Sequence, residues 1–371
     1  MPILLHSVDP ESNRDTFSEY NTADFVINTD RNIVRNSIRL EGSIKFSRGA
    51  AQVLFTDRCH MNKRIGIHSI IESSQVMVGG SVVENINTEY ARFAHMIQSA
   101  TKSRDDYYDS GEICELKAVS TDVACAICQG ESTISTTKLQ ADFPKGTDFS
   151  FKPIICVNRC DNDIPMGRLN NEMRLSFNLA RAVNVLCGIG QSDPANLTSY
   201  TISDLRLTYR SADPVAIPSV GMRSVFPIKQ VVSNPNASLN SRVPGVCNAV
   251  SISFLKKSKE NAVVSDNVAL EALPHLDEVG YTFNDATNQL VQYSQEEYSE
   301  YMEGYLESLG SAGVHSASPN NIKGNSVFGL GLKFGADVDL STQKFGVNIR
   351  SGATSTLSYL MFQFFHSKIS L

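Results

Sequence analysis

The chain has 371 residues, a formal net charge of −6, and a composition that is 42% hydrophobic but only 19% charged. That length holds one large domain or two ordinary ones, and that apolar content excludes a disordered chain. An acidic balance with no dense Lys/Arg tract argues against reading a nucleic-acid backbone. No apolar run reaches the length of a membrane-spanning helix, and the start MPILLHSVDPESNRD does not read as a signal peptide. So low a charged fraction suits a surface partly covered by neighbouring subunits.

In chain order, residues 1–20 are polar with little periodicity and read as an N-terminal arm. IRLEGSIKF follows, with Ile38, Leu40, Ile44 and Phe46 on one face and Arg39, Glu41, Ser43 and Lys45 on the other, a half-buried strand. RIGIHSIIESSQVMV at 64–78 reads as one long strand or two short ones. Gly79-Gly80 then separates it from a second β-rich run, SVVENI. A phosphate-binding loop would need Gly-x-Gly-x-x-Gly or Gly-x4-Gly-Lys-Ser/Thr running into a helix, so the pair predicts a two-residue hairpin. Asn87 is a plausible N-cap for a helix with Tyr90, Phe93, Ala94 and Ile97 at helical spacing.

Short β-like pieces fill 111–170. Alternation resumes at Met173, Leu175, Phe177 and Leu179 and again at Leu205, Leu207 and Tyr209. Pro214, Pro218 and Pro227 punctuate the stretch that follows, which places the domain boundary at 213/214: a first domain at 21–213 and a second at 214–371. The second half repeats the grammar. EVGYTF, a turn and QLVQY lead into SQEEYSEYMEGYLESLG, where Ser294 and Glu297 suggest a capping box. Tyr298, Tyr301, Met302, Tyr305, Leu306 and Leu309 form an apolar stripe, and Gly310 is placed to close the helix. Near the C-terminus, residues 359–365 are apolar on both faces, as a strand at a seam between domains or subunits would be.

IHSIIESSQVMVGGSVVENINTEYARFAHM resembles a stretch of the double jelly-roll major capsid proteins of tailless icosahedral DNA viruses, the lineage of the adenovirus hexon and of membrane-containing phages. In that family a strand ends in a Gly-Gly-like hairpin whose return strand leads into a tyrosine-bearing helix; here these are Val76–Val78, Gly79-Gly80, Val82–Ile86 and Tyr90. IRLEGSIKF resembles an early core strand of the first roll, SYTISDLRLTY its last strand, and 278–309 the matching piece of the second. The resemblance implies an all-β chain of two consecutive eight-stranded antiparallel jelly-roll sandwiches, each with one short helix. It also implies a structural protein of the virion capsid, not an enzyme. Three copies would form a pseudo-hexagonal capsomer that tiles an icosahedral shell. The implied partners are other copies, neighbouring capsomers and minor capsid and vertex proteins, with an internal membrane as a further candidate and no sequence-specific nucleic acid. Stretches 100–165 and 310–327 are the candidate tower loops.

Chemistry elsewhere is sparse. Cys125 and Cys128, and Cys156 and Cys160, have spacings that zinc would tolerate, but strand alternation points Cys125 and Cys128 to opposite faces, so free thiols are expected. The eight scattered cysteines suit a reducing compartment better than a disulfide framework. His68-Ser69 lacks the Gly-x-Ser-x-Gly turn of a hydrolase nucleophile. Asp105, Asp106 and Asp109 lack calcium-loop spacing, and Asp337 and Asp339 read as a strand edge. No catalytic residue, cofactor site or metal site is therefore expected. The alternatives are a minor capsid or vertex protein, which the apparent duplication disfavours, and a two-domain β-sandwich that binds carbohydrate. The absence of tryptophan weakens the latter.

Overall fold

The structure is a computed structural model. It describes residues 3–12, 14–48, 51–52, 60–62, 64–102, 147–187, 198–217, 219–260, 267–268, 270–271, 273, 276–284, 289–294, 298–324, 329–352 and 358–370. Among the described residues, the first half has eight long strands and one principal helix: β1 (Leu4–Val8), β2 (Thr22–Asn28), β3 (Arg39–Arg48), β4 (Ile71–Val78), β5 (Ser81–Ile86), α1 (Tyr90–Thr101), β6 (Thr147–Phe151), β7 (Glu172–Leu179) and β8 (Thr198–Ala212). The second half has β9 (Gly221–Val232), β10 (Asn236–Ser241), β11 (Val246–Lys256), β12 (Leu276–Phe283), β13 (Gln289–Ser294), α2 (Tyr298–Ser311), a shorter α3 (Pro319–Gly324), β14 (Leu330–Asp339), β15 (Phe345–Ser351) and β16 (Tyr359–Ser370).

Both halves pair these strands identically. In the first, β1–β8–β3–β6 faces β2–β7–β4–β5. In the second, β9–β16–β11–β14 faces β10–β15–β12–β13. Every pairing is antiparallel, and the order in each half is that of an eight-stranded jelly roll: two four-stranded sheets stacked with their apolar faces inward. Two-residue strands extend the first roll's sheet.

Alternation puts the expected residues inside. Leu40 and Ile44 of β3, Met173, Leu175, Phe177 and Leu179 of β7, and Leu205 and Leu207 of β8 are all buried, while Arg39, Glu41, Ser43 and Lys45 lie on the opposite side of β3. Gly79 and Gly80 join β4 to β5 at φ +57 and +84, the left-handed backbone that a two-residue hairpin loop requires and that glycine adopts without strain.

The structure departs from expectation at several places. Residues 1–20 do not begin as a free arm: β1 is the edge strand of the first roll. Its pairing satisfies one side of β8, and His6 stacks on Tyr209 at 4.8 Å and bonds Ser211 Oγ at 2.7 Å. Gly66–Ile70 forms a 3-10 turn rather than strand. Asn87 does not cap α1; Thr88 turns at φ +56 and Glu89 occupies the N-cap position without a side-chain cap bond. Ser294 ends β13, and α2 begins at Tyr298. Gly310 lies within α2, which closes at Gly313 (φ +84). There the Val314 N–H reaches Leu309 O at 3.1 Å and the Gly313 N–H reaches Gly310 O at 3.0 Å, the paired bonds of a Schellman ending. Part of the 310–327 stretch is the helix α3. The first candidate tower, 100–165, lies largely outside the described residues, and its last part holds β6.

Candidate functional site

The two rolls share a seam, and β16 is its centre. Met361 and Phe365 point into the core of the second roll, whereas Leu360, Phe362 and Phe364 belong to the core of the first. A strand alternates its side chains between faces, so a strand apolar on both faces has a core on both sides. This is what residues 359–365 spell.

From the first roll, α1 lies against that outward face. Phe93 meets Phe364 with ring centroids 5.3 Å apart, and the Arg92 guanidinium sits 4.8 Å over the Phe362 ring. Every residue of α1 from Tyr90 to Ala100 is buried, because one face covers its own roll and the other covers its neighbour.

A buried ion pair locks the same seam. Glu84 of β5 accepts hydrogen bonds from Arg159, from the backbone N–H of Cys156 at 2.7 Å, and, across the seam, from the N–H of Val225 on β9 at 3.1 Å. Arg159 also stacks over Phe93 at 5.0 Å and donates from Nη1 to Ala312 O of the second roll at 3.1 Å. Burial pushes the Glu84 carboxyl up from its ordinary range, while the Arg159 guanidinium and the two backbone donors pull it down. At the rim, Asp161 takes Arg223 and Lys368, each at 3.2 Å, and these hold its carboxyl below the usual range against the opposing effect of burial.

Two histidines are buried at the seam. His366 bonds Ser251 Oγ at 2.8 Å through Nε2, and its Nδ1 has no hydrogen-bond partner. Burial, helped by Arg159, pushes its pKa down to about 3. His95 of α1 accepts a long bond, 3.4 Å, from the N–H of Leu270 in the second roll, and burial likewise lowers its pKa.

The candidate reactive residues do not assemble. Cys125, Cys128, Asp105, Asp106 and Asp109 lie outside the described residues. Cys156 is a buried free thiol, and Cys160 gives its proton to Val157 O at 3.1 Å; burial raises both thiols, Cys160 to about 11. Among the described residues no three His, Cys, Asp or Glu side chains are grouped to hold a metal ion. His68 bonds the Tyr90 hydroxyl at 3.1 Å and Ser69 donates to Gly66 O at 2.8 Å, so both act as packing groups under α1. Tyr301 is buried in the core of the second roll, and Tyr305 is buried at the seam in the cluster that holds Phe362 and Phe364. Asp339 ends β14 by accepting from the Ser341 N–H at 2.9 Å. An open cleft of about 310 Å³ lies on β10, β12 and β15, lined by Asn236, Ser238, Glu278, Asn348 and Arg350 with no aromatic ring.

Glu84 and Arg159 were not legible as a pair. They are far apart in sequence, and Arg159 sits inside the Cys156–Cys160 stretch, whose spacing points to thiol chemistry and not to an ion pair. The one available signal was an acidic residue within the otherwise apolar run SVVENI.

No protein-family model matches the sequence, and no curated protein matches it. Solved structures do. The Faustovirus major capsid protein is 10% identical, with a TM-score of 0.61 over 100% of this chain and 90% of that one. A chain of the PBCV-1 virus capsid is 12% identical, with a TM-score of 0.58 over 100% and 94%. The mavirus major capsid protein is 10% identical, with a TM-score of 0.50 over 99% and 90%. This chain has the double jelly-roll fold. At such identities the agreement is one of strand order and layering, and the double jelly roll here is sealed by side chains of its own: Phe93, Glu84, Arg159 and Phe364.

Proposed function

We propose that this double jelly roll is a viral major capsid protein and not an enzyme. Its working form is a homotrimeric, pseudo-hexameric capsomer, located in the virion, that tiles an icosahedral shell beside other capsomers and minor capsid and vertex proteins. The two rolls divide at 213/214 as its building blocks. One observation carries the reading: two rolls of identical strand order share an apolar seam, and the chain superposes on capsid proteins over its whole length. Geometry carries such a function, and a closed symmetric ring of rigid blocks needs no reactive side chain. A carbohydrate-binding sandwich would be expected to offer ring platforms, whereas the cleft on the second roll offers amides, a carboxylate and a guanidinium.

Light scattering after size exclusion tests the proposal. The monomer is 40.6 kDa, so a capsomer of three copies should run at about 122 kDa and should build shells visible by electron microscopy. A monomer at every concentration and salt would overturn it.

A further inference from the structure

The seam holds two histidines, and the hydrogen bonds around them leave no place for a second proton. On β16, a chain of hydroxyls fixes the state of His366. Ser308 Oγ donates to Tyr305 O at 2.7 Å, so it accepts from Ser251 Oγ at 2.7 Å, and Ser251 in turn accepts from His366 Nε2 at 2.8 Å. With one proton on each hydroxyl, this assignment satisfies all three contacts. His366 Nδ1 is then a bare lone pair with no partner among the described residues. The first roll brings the Phe93 ring and the Arg159 guanidinium toward it, and that guanidinium is the charge that acts on the imidazole. Glu84, beside Arg159, is already bonded to Arg159, Cys156 and Val225.

On α1, His95 Nδ1 accepts the Leu270 N–H of the second roll at 3.4 Å. Its neutral ring therefore carries the proton on Nε2, which has no partner among the described residues. A second proton has to enter at Nδ1, against that N–H. The charges that act on the ring are both cations: Arg64 of the first roll, and Lys259 of the second, which pairs with Glu271 at 3.0 Å. On its own helix, Arg92 lies over Phe362 and pairs with Glu89. Both imidazoles are 0% exposed. Burial first, and then these cations, hold both below the ordinary histidine value of 6.5.

Charging either ring thus places an unanswered cation in the contact between the rolls. The second roll's core is a separate cluster around Val250, Tyr281, Phe345 and Phe365, and parting the rolls leaves it closed. We propose that the seam is an acid-opened joint: proton uptake at His95 and His366 parts the two rolls while each stays folded, uncovering Phe93, Phe362 and Phe364. Once parted, each imidazole returns to about 6.5, so below that value the parted state binds protons that the closed state refuses. Each ring then favours parting about tenfold at pH 5.5, and the two together about 100-fold. Glu84 and Glu89 act the other way. Burial raises both carboxyls against the pull of Arg159 and Arg92, so the closed seam takes their protons more readily than the parted one. Comparing histidine variants cancels that opposing effect. The joint belongs to one chain and does not rest on the capsomer reading.

Amide hydrogen exchange of the full chain, resolved to single residues, tests the joint. The N–H groups of Val225, Leu270 and Ser318 bond across the seam, to Glu84, His95 and Ala100, and report parting. Amides of the central strands β7 and β12 report unfolding of each roll. H95N keeps an acceptor for Leu270, and H366Q keeps a donor for Ser251. From pH 7.5 to 5.5, corrected for intrinsic exchange, the opening constant of the seam amides should rise about 100-fold more in wild type than in H95N/H366Q. Each single variant should forfeit about tenfold of that rise, with β7 and β12 protected throughout. If the double variant fails to fold, each single variant is compared with wild type. If those fail too, wild type decides, because its seam opening must rise as pH falls. The proposal is overturned if the seam amides of wild type do not open with acid, if β7 and β12 lose protection along with them, or if the rise persists undiminished in the variants. The oligomer mass, which tests the capsomer reading, is independent of all three.

Discussion

Strands β8 and β16 close their respective rolls and hold the same place in the same sheet, yet their outward faces are opposites. β8 shows Thr201, Arg206 and Arg210 to water. β16 shows Leu360, Phe362 and Phe364 to the neighbouring roll, and none of the three is more than 2% exposed. Strand order is therefore indifferent to whether a sheet face is sealed or wet. Outward side chains decide it, because each aromatic or aliphatic group removed from water contributes about 1.5–3 kcal/mol, whereas an exposed charge keeps its hydration.

The comparison breaks most sharply if the seam is damaged. Glu84→Ala strands the Arg159 guanidinium in a site where it is 8% exposed, and leaves the Cys156 and Val225 N–H groups unpaired. A loss of about 4 kcal/mol is expected in denaturant unfolding; a loss below about 1 kcal/mol would show that the pair is not what locks the rolls. Phe364→Ala removes the ring that Phe93 packs on and should cost about 3 kcal/mol. If the rolls unfold independently, its transition should split in two instead of shifting.

Acid sharpens the contrast. The folded pKa of His366, about 3, lies below the value near 6.5 that an imidazole has when unfolded. Between these values the unfolded chain binds the proton and the folded chain does not. The contribution is thus complete above pH 6.5 and is lost as pH falls toward 3. Over that window His366→Asn should show a stability slope shallower than wild type by about 1.4 kcal/mol per pH unit, and equal slopes would remove His366 from the account.

The smallest effect is expected on the wet face. Arg206 is 54% exposed in its ion pair with Glu41, so Arg206→Ala should change monomer stability by less than about 1 kcal/mol. A larger loss would mean that this face is structural within one chain.

The sequence by itself determined what period-2 alternation and glycine chemistry can encode. The faces of β3, β7 and β8, the Gly79-Gly80 hairpin, the apolar stripe of α2 and the two-sided burial of β16 were all legible, since each depends on neighbours within one element. Local signals misled where a longer-range need won. Residues 1–20 looked like an arm because Leu4–Val8 has only one face to cover, but pairing one side of β8 holds it in the sheet. Asn87 and Gly310 had the composition of caps, while the turns actually fell at Thr88 and Gly313, where the geometry of hairpin and roll placed the positive φ. Only the tertiary structure decided the seam. Glu84, Arg159, Val225 and Ala312 are scattered along the chain, and nothing in their local patterns marks them as partners. Their meeting follows from two rolls closing on one another, which buries a carboxylate and a guanidinium together because neither could be buried alone.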